Sequence, residues 1–294
     1  MSGPLGETLK EGRPILLDGG MGTSLHAAGI EPGIAPDEWN LTHSDVIRDI
    51  HRAYIEAGSR VILTNTFGGS RYRLDFNNLG DRVADINRIG AQLARAEADA
   101  ADHPVLVAGS MGPTGDLMEP YGTLTRAKAQ AAFAEQAAAL VKGGVDLLWI
   151  ETMSDLDEVE AAFAGAREVC DLEVAATLSF ETRVHTMMGV SPTQAIERLR
   201  KMDLVAIGAN CGTGSPDAEL AIEAMRDVDP VSALIAKPNA GLPQFIEGEF
   251  TYSEDPAEMA KHALRLWALG AGLIGGCCGS TPDHLRAIAS ALEA

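Results

Sequence analysis

The sequence predicts an α/β fold, a (β/α)8 TIM barrel with its site at the C-terminal ends of the strands, and three observations carry that reading. Short apolar runs alternate with longer segments of helical period, and the pair recurs eight times along 294 residues. The apolar runs show little inside-out alternation, as parallel strands covered on both faces do. No linker, low-complexity tract or charge block divides the chain, so residues 1–294 are expected to form a single barrel domain. A doubly wound open sheet is the competing arrangement for the same alternation.

Taken in order, the first strand is Ile15 to Asp18, and Ser44 is placed to cap a helix whose apolar positions Val46, Ile47, Ile50, Ala53, Tyr54 and Ala57 follow the helical repeat until Gly58 ends it. The second strand, Arg60 to Thr66, leads to an alanine-rich helix from Asp81 to Ala101, and the third, Val105 to Ser110, to a helix from Thr125 to Lys142. Leu147 to Glu151 is followed by Asp155 to Cys170, with Asp155 as the cap, and Val174 to Phe180 by Pro192 to Lys201. Leu204 to Asn210 precedes the helix Pro216 to Arg226, and Ser232 to Lys237 precedes Pro256 to Leu269. The eighth strand is Leu273 to Gly276, and Thr281-Pro282 opens a last helix reaching Leu292. The longest loops, Gly19 to His43, Phe67 to Gly80, Met111 to Leu124 and Pro238 to Asp255, all follow strands, which puts them on the face where barrels do chemistry.

Composition narrows the partners. The formal net charge is -19, which repels nucleic acid and anionic membranes and favours small or cationic molecules. No apolar run approaches the roughly 20 residues of a membrane helix, and no secretory leader pattern opens the chain, so a cytoplasmic location is expected. Four cysteines are too few for a disulfide scaffold in a chain of this size. The outer helix faces permit a homo-oligomer without demanding one.

Three of those cysteines carry the chemistry. Cys211 follows strand six, and Cys277 with Cys278 follows strand eight, so the fold brings them to one rim across 66 positions of sequence. Soft thiolates select Zn2+, and three protein ligands leave the fourth position that a catalytic zinc keeps open. The bland alternative is three small buried hydrophobes, and Cys170, at the far end of a helix, keeps that reading. Gly275, Gly276 and Gly279 let the backbone aim both thiols inward, although glycines after the last strands of a barrel also cradle phosphate.

Asp18 and Glu151 end strands one and four. They suit acid-base work or the ammonium of an amino-acid substrate, with the Gly19 and Gly20 amides free to take its carboxylate, and the alternative is a structural ion pair with Lys237 or an arginine. Lys237 itself could form a Schiff base, though an ion pair is commoner. Trp39, Phe67, Tyr72, Phe76, Tyr121, Phe245, Phe250 and Tyr252 lie in the front loops and suggest a cage for a cationic methyl donor, or simple loop packing.

These residues sit in motifs that resemble the zinc-dependent homocysteine S-methyltransferase family, including betaine-homocysteine methyltransferases and the homocysteine module of cobalamin-dependent methionine synthase. The stretches are LLDGGMGTSL (Leu16 to Leu25), TNTFGGSRYRL (Thr64 to Leu74), GSMGPTG (Gly109 to Gly115), IETM (Ile150 to Met153), GANCG (Gly208 to Gly212), KPNAGLP (Lys237 to Pro243) and GGCCGSTPDH (Gly275 to His284). The resemblance implies Cys211, Cys277 and Cys278 as zinc ligands, homocysteine as methyl acceptor with its amino group near Asp18 and Glu151, and Asn239 at the position that fills the fourth zinc site before substrate arrives. It implies a small cationic donor, with betaine first. Gly68 and Thr152 stand where betaine enzymes tend to carry tyrosines, so S-methylmethionine, another sulfonium or a corrinoid methyl group are the alternatives. A barrel that senses thiols or metal without catalysis is the reading from another class.

Overall fold

The computed structural model describes residues 3–181, 183–246 and 249–293. Eight parallel strands form the ring: β1 (Ile15–Leu16), β2 (Val61–Leu63), β3 (Leu106–Met111), β4 (Leu147–Met153), β5 (Glu173–Leu178), β6 (Ala206–Cys211), β7 (Leu234–Pro238) and, after a hairpin of β8 (Gln244–Ile246) and β9 (Glu249–Thr251), β10 (Ala271–Ile274). Their order is β1-β10-β7-β6-β5-β4-β3-β2. A parallel bridge between Leu17 and Val61 joins the two ends of that series, seconded by the Arg60 N–H donating to the Leu16 carbonyl at 2.8 Å. The open-sheet alternative is thereby excluded.

The period of two explains both sides of the wall. Ile15, Leu17, Val61, Leu63, Ala108, Leu147, Trp149, Ala175, Ala206, Ile235 and Leu273 fill the barrel interior. Their sequence neighbours Leu16, Ile62, Val107, Leu148, Val174, Ile207, Leu234 and Ile274 pack outward under the helices. Carrying the inward series further up each strand reaches Ser110, Glu151, Thr177, Asn210 and Lys237, all buried. The top layer of the interior is therefore polar, and the site stands on it.

The outer helices agree with the sequence pattern to within a few residues: Ser44–Glu56, Val83–Asp99, Arg126–Gly143, Leu156–Val169, Pro192–Leu199, Ser215–Val228, Pro256–Ala268 and Pro282–Glu293. Asp155 caps as expected, accepting from the Asp157 N–H at 2.8 Å. Ser44 does not: it is the first helical residue, and its hydroxyl instead donates to the Asn40 carbonyl at 2.9 Å.

Two features have no strand or helix repeat to announce them. Short helices, Met21–Ala27 and Arg71–Asp75 among them, thread the front loops. At the other end, the helix Pro4–Leu9 plugs the barrel floor: Leu5 is fully buried in the interior cluster. The Glu173 carboxylate accepts the N–H groups of Gly3, Leu5 and Gly6 at 2.8–2.9 Å, satisfying the orphan donors of that helix start.

Candidate metal centre and acceptor site

Cys211 closes β6, and Cys277 and Cys278 follow β10, with the three sulfurs within 4.8 Å of one another and Cys211 Sγ 2.8 Å from Cys277 Sγ. Local backbone geometry aims them. Cys211 has φ +57°, a left-handed conformation unusual for a residue with a side chain, and Gly212 at +72° and Gly279 at +81° continue the turns on either side. A Cβ on Gly279 would run into the Tyr252 ring, so here the glycine is required by close approach as well as by φ.

The two ligand loops are tied together. The Cys277 N–H donates to the Pro238 carbonyl at 2.8 Å, and the Ser280 hydroxyl donates to the Cys277 carbonyl at 2.6 Å. Asn239 is the principal brace: its Oδ1 accepts the Cys278 N–H at 3.0 Å and its Nδ2 donates to the Gly212 carbonyl at 2.8 Å. Both ends of that amide are engaged, so Asn239 holds the two ligand loops in register.

Packed this closely, the thiols cannot all ionise. Hydrogen bonds from Cys211 and Cys277 push Cys278 down to about 3. Cys211 is pushed well above the usual thiol range by its hydrogen bonds to Cys277 and Cys278 and by burial. Cys277, drawn down by its Cys211 bond but raised more by Cys278 and burial, rises to about 12. Three soft donors this close call for a cation among them. Tetrahedral zinc with bonds of about 2.3 Å sets its sulfurs about 3.8 Å apart, so the 2.8 Å Cys211–Cys277 pair would open by about 1 Å around the ion, within the 4.8 Å that bounds the set. The ligand set fits zinc.

Beneath the sulfurs, Lys237 Nζ donates to Asp18 Oδ1 at 2.5 Å, and the Leu63 N–H donates to Asp18 Oδ2 at 2.7 Å. Glu151 Oε1 accepts the Ser110 hydroxyl at 2.5 Å. Burial pushes the Glu151 carboxyl up to about 7, Lys237 pulling it down and Cys277 adding to the rise. Burial alone would lower Lys237, but Asp18, Glu151 and Cys277 together hold its ammonium above the ordinary range.

The two glycines after Asp18 serve packing first. A Cβ on Gly19 would meet the Tyr54 ring at 2.5 Å, and one on Gly20 the Cys277 carbonyl at 2.6 Å. The Gly20 N–H already donates to the Ser280 hydroxyl at 3.1 Å, so this amide is not free for a substrate carboxylate.

Among the described residues, Trp39, Phe67, Tyr72 and Tyr121 do not gather at one place; the side chains of Phe245 and Phe250 lie outside the described residues. Trp39 is buried with Leu25, Ile30 and Ile47 and stacks on His43 at 4.2 Å. Tyr72 packs against the main core, whereas Phe67 and Tyr121 are exposed, at 37% and 75%. The space a side chain on Gly68 would take holds the Asp37 carboxylate, 2.7 Å from the ideal Cβ position.

Sequence reasoning passed over Asn210 and Ser110, which complete the site, and read Tyr252 only as one of the front-loop aromatics. Asn210 accepts the Thr152 N–H at 2.9 Å, donates to the Thr152 hydroxyl at 2.7 Å, and holds its Nδ2 3.9 Å from Cys277 Sγ. Ser110 orients Glu151, and the Tyr252 hydroxyl bonds the Cys278 sulfur. Asn210 and Ser110 lie inside the GANCG and GSMGPTG motifs, which was the available signal; Tyr252 stands in no motif.

A (β/α)8 barrel whose rim gathers three thiols over a layer of buried carboxylates and an ammonium has the donor set of a thiolate metal centre. Residues 15–292 match the family described as Homocysteine S-methyltransferase, and the chain belongs to that family. It is 34% identical over 308 residues to the methionine synthase of Mycobacterium leprae (strain TN), covering 97% of this chain and 25% of that protein. The methionine synthase of Mycobacterium tuberculosis (strain ATCC 25618 / H37Rv) is 34% identical over 302 residues, covering 95% and 25% respectively. The chain thus spans about a quarter of the length of these curated relatives. Among solved structures, the metallated form of the homocysteine methyltransferase MmuM from Escherichia coli superposes with a TM-score of 0.83 at 24% identity, covering 98% of this chain and 99% of that one. Its oxidised form gives 0.79 at 25% identity, with 94% and 95% covered.

Proposed function

We propose that this barrel transfers a methyl group from a small cationic donor, betaine being the first choice, to the thiol of L-homocysteine, giving methionine. The observation that supports it most directly is the convergence of Cys211, Cys277 and Cys278 within 4.8 Å above Asp18, Lys237 and Glu151. Zinc, when held by the three cysteines, supplies the positive charge that keeps an incoming substrate thiol deprotonated, whereas a free thiol with pKa near 8.5 is only a few per cent ionised at neutral pH. The remaining work belongs to the protein. Glu151 and the Asp18–Lys237 pair face the amino-acid end of homocysteine, the Gly19 amide its carboxylate, and the barrel wall fixes the sulfur for in-line attack. Every group named comes from one barrel, which supports reading residues 1–294 as one homocysteine-binding domain. Thiols that must stay reduced fit a cytoplasmic setting.

An anionic mouth and a net charge of -19 favour a cationic donor. With Trp39 withdrawn and Gly68 bare, Phe67, Phe76 and Tyr121 are the exposed aromatics among the described front-loop residues, and they serve a sulfonium as well as betaine. A corrinoid-bound methyl is the second reading, favoured by the likeness to methionine synthases. Zinc-loaded protein incubated with homocysteine and, separately, betaine, S-methylmethionine, dimethylsulfoniopropionate and methylcobalamin decides among them by the methionine formed. Methionine from none of the four, with zinc bound, would leave the non-catalytic sensor in its place. Cys277→Ala is expected to lower zinc from about one per chain to a small fraction by metal analysis, with methyl transfer falling at least a hundredfold.

A further inference from the structure

The end of β4 takes a conformation that its own residues disfavour. Thr152 has φ +60°, and a left-handed backbone is strained at a β-branched residue. The register between β4 and β5 shifts between Ile150 and Met153, so the strand bulges at this point. The bulge offers Thr152 to Asn210 on β6, across the intervening strand β5. Asn210 Oδ1 accepts the Thr152 N–H at 2.9 Å, and Asn210 Nδ2 donates to the Thr152 hydroxyl at 2.7 Å. A backbone N–H can only donate, so Oδ1 must be the end that meets it, and the placement of Nδ2 follows. Nδ2 carries two protons. One goes to the Thr152 hydroxyl, and the Cys277 sulfur lies 3.9 Å from the same nitrogen. Asn210 is buried, which shields these contacts from water.

We propose that Asn210 is a positioning residue for the metal ligand Cys277, and that the strained turn at Thr152 exists to aim its amide at that sulfur. The inference rests on the zinc reading of the three thiols. An N–H directed at a thiolate draws electron density from the sulfur and fixes the direction of its lone pair, as groups behind metal ligands do. The Thr152 hydroxyl keeps the amide from swinging away, because without it Nδ2 has no short partner and Oδ1 alone anchors the side chain. The left-handed φ is the conformation in which one residue presents both its N–H and its hydroxyl to a single amide. Asn210 also precedes the ligand Cys211, so the same segment of β6 supplies one sulfur and steadies another that arrives from β10.

The test compares Asn210→Ala with Thr152→Val, which keeps the side-chain shape but removes the hydroxyl, and Thr152→Ser, which keeps the hydroxyl. Two readouts are taken without any substrate: the rate at which zinc-loaded protein gives up its metal to a chelator, and the sulfur-to-metal charge-transfer band of protein loaded with Co2+ instead. Asn210→Ala and Thr152→Val are expected to speed zinc loss by about tenfold or more. Both should also move the band to longer wavelength, because a sulfur relieved of its N–H donor is richer in electrons. Thr152→Ser is expected to lose zinc within about twofold of the wild-type rate, with its band in place. A clamp that only holds two strands together would loosen the site without changing the sulfur. An unmoved band in either Asn210→Ala or Thr152→Val therefore overturns the proposal, even where zinc is lost faster, and so does a Thr152→Ser protein that behaves as Thr152→Val does. Should Thr152→Val fail to fold, the band of Asn210→Ala decides. Wild-type protein that takes up neither zinc nor Co2+ would overturn the metal reading itself, a result distinct from an unmoved band.

Discussion

At the scale of single residues, burial sets the chemistry. Glu151 releases its proton near pH 7, and only its anion attracts an ammonium, so its protonation should lower homocysteine affinity by about tenfold per pH unit below 7, on top of the tenfold that ionising the substrate thiol adds. 4-Mercaptobutanoate, which lacks only the amino group, isolates the thiol part: its affinity should show the shallower slope. Equal slopes for the two ligands would remove Glu151 from ammonium recognition. Asp37 makes a different demand. Burial pushes its carboxyl up to about 6, and its Oδ1 has no partner. The folded protein therefore holds a proton that the unfolded chain has already released between about pH 4 and 6, and stability is lost as pH rises through that window. Asp37→Asn should add up to about 3 kcal/mol above pH 7 and little at pH 4, measured by denaturant unfolding. A gain of the same size at both pH values would show that ionisation is not the cause.

At the scale of elements, the site is an agreement between loops that belong to different strands. Asn239 after β7 links the Cys211 loop after β6 to the Cys278 loop after β10 through one amide. Asn239→Ala should leave the barrel folded but speed zinc loss to a chelator by about tenfold to a hundredfold, the range for groups that orient metal ligands. Unchanged zinc retention would reduce Asn239 to a loop-packing residue. How far these elements were legible follows from what each depends on. The eight ring strands announce themselves as short apolar runs, because both their faces are covered, and the outer helices by their period, because one stripe faces the wall. The three thiols were legible because strand ends share a rim. Trp39 was read toward a donor cage, yet it stacks on His43 in a cluster of its own, since a loop aromatic goes where its neighbours leave space and no period records that. The commitment of Asp18 to Lys237 was likewise one of two readings: a strand-end carboxylate looks the same in sequence whether it faces a substrate or a lysine 219 positions away.

At the scale of the whole molecule, the barrel separates stability from chemistry along its axis. The floor is sealed by Leu5 and by the helix start that Glu173 caps, far from the sulfurs at the rim. Leu5→Ala should cost about 2–5 kcal/mol in unfolding free energy while leaving zinc content and, well below the melting temperature, turnover within about twofold. A loss of zinc at unchanged stability would mean that the two ends are coupled. Among the described residues no helix is long and apolar enough to cross a membrane.

The backbone at Cys211 sets these two interests against each other at one position. A left-handed φ of +57° suits glycine, and a cysteine there gives up on the order of 1 kcal/mol so that its sulfur can face Cys277. A population of this sequence selected only for surviving heat would drift toward glycine at 211 and gain stability as it lost its metal. Cysteine persists there only under selection for what the sulfur does, so the identity of residue 211 in any descendant chain records whether the barrel is still being used as an enzyme.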